Sequence, residues 1–290
     1  MGERPDLLGP EDNFLGIDSD WGSSSVMIWP VPMEQSTSYM QGTGRGPGAL
    51  LEASRQVELF DDELGVETFR RGIVTLTPLK IGAVSVESTV RHVQEQALSL
   101  LKHGKRLVTV GGEHSVTVGL VQAHHSHDSN FSVLHLDAHA DLRESYGGTG
   151  FSHACVMARV RTLVPHVSVG IRSLCFEEAE QIQSENLSVF TVHTMRQQDD
   201  WLEKAVGLLR RKVYITLDLD VLDPSVMPSV GTPEPNGMDW PALTSLLKKV
   251  FQERDVIGMD MVELCPMHSG DFGPFTAAKL LYRLIGYWLA

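Results

Sequence analysis

Short apolar runs alternate along this chain with stretches whose apolar positions recur at helical spacing. The runs Ser25–Trp29, 73–76, 106–110, 131–136, 166–171, 187–191, 213–217 and 256–261 read as strands. Being apolar at successive positions, they fit strands covered on both faces. Pro30 is expected to end the first, since proline has no N–H to give to a ladder. Between 86 and 103, Val90, Val93, Ala97, Leu98, Leu100 and Leu101 form one helical stripe. Comparable stretches predict helices near 114–125, 155–163, 175–184, 199–210, 240–252 and 274–288. Pro47 opens an earlier helix, because its fixed φ suits the first turn. Residues 1–24 read as an irregular N-terminal arm and residues 33–48 as a glycine-rich loop. No linker or repeat interrupts the rest, so residues 1–290 are expected to form one α/β domain. Strands alternating with helices imply a mainly parallel sheet with helices on both faces.

Composition narrows the function classes. An apolar share of 42% supplies a sizeable core, and 14 prolines with 21% charged residues argue against disorder. A net charge of -13 disfavours nucleic acid as a partner and mildly favours a cationic substrate. Cys155, Cys175 and Cys265 are odd in number and include no Cys-x-x-Cys pair. That argues against a disulfide framework or a thiolate zinc site and fits free thiols in a reducing compartment. No apolar run approaches the roughly 18 residues of a membrane span. The first residues carry no signal-peptide core, and Asp6 stands where a myristoylation motif needs Ser or Thr. A soluble, cytoplasmic protein that does not bind a membrane is expected.

The chemistry sits where three predicted strands stop. Gly111-Gly112-Glu113-His114 follows one, Asp137-Ala138-His139-Ala140-Asp141 a second, and Asp218-Leu219-Asp220 a third. In open α/β sheets, ligand sites lie at the carboxyl ends of strands. Alternate residues of an extended segment share a face, which aims Asp137, His139 and Asp141 into one crevice and pairs Asp218 with Asp220. Buried carboxylates need partners, and metal ions are effective ones. Four Asp and two His are too many for one catalytic ion with an open position. Two ions about 3.5–4 Å apart with bridging carboxylates would use them all. Oxygen-rich ligation without thiolate suits Mn, with Fe, Co, Ni or Mg as alternatives. His135 is read as structural, and His124, His125 and His127 as a solvated group beyond a helix.

These motifs, with Ser115 and the continuation Val221-Leu222-Asp223-Pro224, resemble the signatures of the ureohydrolases, the group of arginase, agmatinase, guanidinobutyrase and formimidoylglutamase. The resemblance extends to Gly44-Arg45-Gly46-Pro47-Gly48-Ala49, Gly170-Ile171-Arg172 and the stretch 259–266. It implies a three-layer α/β/α fold around a site for two Mn²⁺. His114 and Asp141 would then serve one ion and His139 and Asp220 the other, with Asp137 and Asp218 bridging. Hydroxide held between the ions would attack the guanidinium carbon, with Asp141 accepting a hydrogen bond from it. Glu263 matches the glutamate that receives the guanidinium, and His153 the proton-shuttle histidine. Family members are usually homotrimers or homohexamers.

Arginase-like members follow the third metal aspartate with an Asn, and Arg143 stands there instead. The pattern is more similar to agmatinase, which would convert agmatine to putrescine and urea. Arg143 suits a substrate carboxylate, which keeps guanidinobutyrase open. Two other classes are a non-catalytic metal-binding relative, which would be expected to have lost ligands, and a one-zinc deacetylase of related fold, which the second Asp pair disfavours.

Overall fold

A computed structural model describes residues 4–267 and 270–290; residues 1–3 of the expected arm lie outside the described residues. In chain order the elements are β1 (Val26–Val31), α1 (Gly46–Ser54), a hairpin of β2 (Phe60–Asp61) and β3 (Val66–Glu67), β4 (Ile73–Thr75) and α2 (Val86–Leu101). Then come β5 (Arg106–Gly111), α3 (Val116–His127), β6 (Ser132–Leu136), α4 (Val156–Val160), β7 (His166–Ile171), α5 (Phe176–Ser184) and β8 (Val189–Thr191). The last are α6 (Val192–Gln197), α7 (Trp201–Leu208), β9 (Lys212–Asp218), α8 (Trp240–Glu253), β10 (Asp255–Val262) and α9 (Gly273–Leu289).

Eight strands form one parallel sheet in the order β4-β1-β5-β10-β9-β6-β7-β8. The strands are mostly apolar because each feeds two cores. In β1, Val26 and Ile28 join one cluster with residues of α1, α7, α8 and α9. Met27, Trp29 and Val31 join the other, with residues of α2, α3 and α4. The result is the expected three-layer α/β/α architecture with a parallel central sheet. Helix α2 shows how sequence produces a covering element. Ser85 caps its first turn by accepting from the Ser88 N–H, and Val90, Val93, Ala97 and Leu100 bury its inner face.

The connection order positions the site. The chain passes from β5 to β6, leaving a gap between them that β9 and β10 later fill. The strands that lead into the candidate residues are therefore four adjacent central ones, spaced about 4.8 Å apart. Register aligns Leu136 with Leu217, Leu217 with Met261, and Met261 with Val110. The next residues, Asp137, Asp218 and Gly111, consequently emerge at one level.

Several expectations are corrected. Pro30 does not end β1 but pairs with Val110 inside it. Its carbonyl faces the side of β4 and accepts from the Leu79 N–H, beyond the last residue of β4, so no ladder donor is needed there. Helix α6 and the β2–β3 hairpin were not expected. The stretch 155–163 yields only the short α4, preceded by a 3₁₀ turn at His153–Cys155. His124 is not solvated: it lies in the last turn of α3, buried, with its ring 4.9 Å from Tyr214. Gly258 makes that room, since a Cβ there would stand 2.5 Å from His124 Nε2. Burial pushes His124 down to about 4. Among the described residues, no helix is long and apolar enough to cross a membrane.

Candidate metal centre

The six residues singled out at strand ends converge on one cavity of about 220 Å³. Backbone N–H groups orient three of the four aspartates. Asp218 Oδ1 accepts from the Asp220 N–H at 2.9 Å, and Asp220 Oδ1 accepts from the Ala138 N–H at 2.9 Å. Asp137 Oδ1 accepts from the His139 N–H at 2.6 Å. The second oxygens of Asp218 and Asp220 point inward.

The inward atoms fall into two groups that share Asp137. On one side, His114 Nδ1 lies 3.0 Å from Asp137 Oδ2, 3.2 Å from Asp141 Oδ2 and 3.4 Å from Asp218 Oδ2. On the other, His139 Nδ1 lies 2.9 Å from Asp220 Oδ2 and 3.4 Å from Asp137 Oδ1. All six are buried except His139, which is half-buried.

The donor set fits a pair of divalent cations. His114 Nδ1 is buried and has no hydrogen-bond partner, although three carboxylates surround it. The other ring nitrogen, Nε2, is 2.9 Å from Thr216 Oγ1, whose hydroxyl donates to Asp260 at 2.7 Å. The network thus keeps one proton on Nε2 and turns Nδ1 to the carboxylates, where a metal ion would replace the second proton that Asp137 and Asp141 otherwise favour. Electrostatics agree. Burial raises Asp218 well above the carboxylate range, reinforced by Asp220, Asp137 and Glu263. Burial and Asp137 raise Asp141. Burial alone would lower His139, but Asp220 and Asp137 raise it. Left to itself, the cluster holds protons where positive charge is wanted. A His/Asp cluster able to coordinate a binuclear metal centre is therefore present.

Glu263 follows β10 and stands at the same cavity, buried. Its Oε1 accepts from the His114 N–H at 2.7 Å. Burial pushes its carboxyl up to about 8 against that hydrogen bond. Glu263 and Asp141 both hold positive φ, at 65° and 53°, a conformation costly for residues other than glycine. The Glu263 N–H is tied to Gly112 O at 2.8 Å, and Asp141 O accepts from the Ala158 N–H at 3.0 Å. His153 lines the cavity too, with Nδ1 3.9 Å from Glu263 Oε1 and Nε2 buried without a partner. Arg143 also lines it, stacked on Tyr146 at 5.4 Å.

Several contributors escaped the sequence reading. His135 places Nε2 2.8 Å from Asp137 Oδ2 and belongs to the same group as His114. Its position two residues before Asp137 on one strand face was the available signal. Asp260 is buried beneath His114 and accepts from Tyr214, Thr216 and Thr117 hydroxyls. Arg172 donates to the carbonyls of Asp220, Leu222 and Glu234, clamping the turn that carries Asp220. Glu113 is buried behind His114.

Known proteins resemble this chain in sequence and in fold. The chain is 38% identical over 290 residues to the N(1)-aminopropylagmatine ureohydrolase of Synechocystis, covering 97% of this chain and 94% of that protein. It is 42% identical over 271 residues to the protein of the same name from Thermus thermophilus, covering 93% and 92%. The crystal structure of the agmatine ureohydrolase of Thermoplasma volcanium superposes with a TM-score of 0.85 at 28% identity, covering 93% of this chain and 92% of that one. A family model described as the arginase family matches residues 24–286, and with it the chain belongs to that family of ureohydrolases.

Proposed function

We propose that the protein releases urea from a cationic guanidino amine, at a pair of Mn²⁺ ions held by His114, Asp137, Asp141, Asp218, His139 and Asp220. The observation that carries this reading is the sharing of Asp137 by two His/Asp groups on the floor of one cavity. Bound divalent cations would supply water activated for attack near neutral pH. The chain's own residues do the rest. Glu263 keeps one oxygen on the His114 N–H and offers the other to the guanidinium, a geometry suited to charge-assisted bonds. Water adds to the guanidinium carbon, the bond from that carbon to the chain nitrogen breaks, and both protons of the water end on the departing amine, one of them passed on by His153. Urea and a primary amine leave.

The substrate we propose is N1-aminopropylagmatine, which would leave a triamine. Similarity at 38–42% to two proteins of that name supports it over agmatine, the substrate expected from sequence. One observation favours a second reading. Arg143 lines the cavity and has no carboxylate within ion-pair distance among the described residues, a setting that suits a guanidino acid such as guanidinobutyrate. Our reading also includes a cytoplasmic homo-oligomer, trimer or hexamer, which light scattering on the purified protein tests.

The test of the reaction is a panel of N1-aminopropylagmatine, agmatine, guanidinobutyrate and arginine, each incubated with Mn²⁺-loaded protein and assayed for urea. The highest kcat/KM is expected for N1-aminopropylagmatine. A preference for guanidinobutyrate would transfer the assignment to the second reading. Absence of urea from all four would end the hydrolase reading.

A further inference from the structure

Among the described residues, nothing holds the His153 ring by hydrogen bonding. Nε2 is buried without a partner, and Nδ1 is 3.9 Å from Glu263, beyond hydrogen-bond reach. Tyr146 meets the ring edge-on at 6.2 Å, but Tyr146 is itself 39% exposed. The position of the imidazole therefore depends on its backbone, which sits at the start of the 3₁₀ turn His153–Cys155.

That backbone has one specific anchor. The His153 N–H donates to Ser36 Oγ at 3.0 Å, across 117 residues of sequence. Ser36 cannot turn its hydroxyl freely, because that hydroxyl donates to Glu113 Oε1 at 2.7 Å. Glu113 is fully buried and accepts three more hydrogen bonds. The N–H groups of Gln35 and Ser36 reach Oε2 at 2.6 Å each, and Ser115 Oγ reaches Oε1 at 2.5 Å. Four donors fill about four acceptor sites, so the carboxylate is satisfied without a cation. The Ser36 proton is thereby committed to Glu113, and its lone pairs are left for the His153 N–H. Glu113 is fixed in turn by its own backbone, whose N–H donates to Met33 O at 2.8 Å. The neighbouring Gly112 permits this approach, since a Cβ there would stand 2.0 Å from Met33 O.

From this geometry we infer that Ser36, locked by Glu113, is the positioning residue for His153, and that the same carboxylate sets the spacing between His153 and His114. Glu113 precedes His114 in the chain and reaches the His153 turn through one hydroxyl. The shuttle and the metal-facing imidazole are then referenced to a single buried group. Neither Ser36 nor Glu113 lines the cavity that holds the candidate metal residues, so both act at one remove from substrate. The inference rests on the reading of His153 as the proton shuttle.

The test compares S36A with S36T, which retains the hydroxyl, in the Mn²⁺-loaded enzyme. S36A is expected to lower kcat about tenfold, a part of the roughly 10²–10⁴-fold that a general acid–base group supplies, because the ring is displaced and not removed. KM and bound Mn²⁺ should be unchanged, and S36T should recover most of the loss. In an H153N background, S36A should cost nothing further, because its effect passes through the ring already removed. Additive losses in the double variant, or a rise in KM with kcat intact, would overturn the inference. Should S36A fold poorly, the isosteric pair S36T and S36V carries the same contrast. Hydrogen exchange of the segment 151–155 is the readout independent of turnover. It should quicken in S36A or S36V and not in S36T. Unchanged exchange overturns the anchoring, whereas quickened exchange in a protein that makes no urea overturns only the shuttle role.

Discussion

Replacing Glu263 with glutamine exchanges one carboxyl oxygen for an NH₂ group and removes the negative charge that a bound guanidinium would favour on a carboxyl otherwise pushed up to about 8. The carboxylate now gives Oε1 to the His114 N–H at 2.7 Å and keeps Oε2 for the cavity. In the variant the amide oxygen must stay on the His114 N–H, since the amide nitrogen cannot accept. The NH₂ group then faces the guanidinium, donor against donor. A hydrogen bond to a charged group contributes about 1.5–3 kcal/mol, and the variant loses the pair that a guanidinium fork would make. A loss near 3 kcal/mol corresponds to about a hundredfold in kcat/KM. Glu263 is not one of the six proposed ligands, and in the variant the amide oxygen still accepts from the His114 N–H, so bound Mn²⁺ should stay the same. Urea release across a substrate series gives kcat/KM, and elemental analysis of the same sample gives metal content. Catalytic efficiency within about threefold of the parent, with metal intact, would refute the role of Glu263 as guanidinium receptor, because no other single effect of the exchange could hide so large a term.

Three further outcomes are expected. His153→Asn should lower kcat by about 10²–10⁴-fold with metal content unchanged, and full retention of kcat would remove it from the proton path. Metal-stripped protein should lose thermal stability from pH 6 to pH 9. Burial holds Glu263 up to about 8, Asp141 and Asp218 are raised too, and His114 and His139 are raised above the imidazole range, so the folded state binds protons that the unfolded chain releases as pH climbs. Added Mn²⁺ should cancel that slope by displacing those protons, and a calorimetric midpoint that rises with pH in the stripped protein would contradict the sign. Arg283→Met should destabilise the fold by about 3 kcal/mol, because it strands the buried Asp61 that Arg283 meets at 3.0 Å in tying α9 to the β2–β3 hairpin; a denaturant-melt change under about 1 kcal/mol would contradict it.

The fold was legible because its strands carry little but apolar residues, which is what burial on two faces demands. The parts that were not legible have identifiable causes. Pro30 was misread because its missing N–H matters only where a neighbouring strand asks for it, and β4 has ended by then. His124 looked solvated among polar neighbours because the space that buries it is created by Gly258, over 130 residues away in the chain. The candidate site was legible where chemistry clusters in sequence, as in Asp137-Ala138-His139-Ala140-Asp141. It was illegible where partners meet only through the sheet. Asp260 supports His114 through Thr216, and Ser36 meets His153 through a contact no local pattern records. Arg172 was noted as a strand end, but its clamp on the Asp220 turn depends on carbonyls from two distant loops.

Diffraction from Mn²⁺-loaded crystals, recorded for manganese anomalous signal, addresses the central claim most directly. Two peaks about 3.5–4 Å apart, one on each side of the Asp137 carboxylate, are the predicted result. A single peak, or one zinc per chain confined to the His114 side, would contradict a paired centre and return the chain to one-metal chemistry.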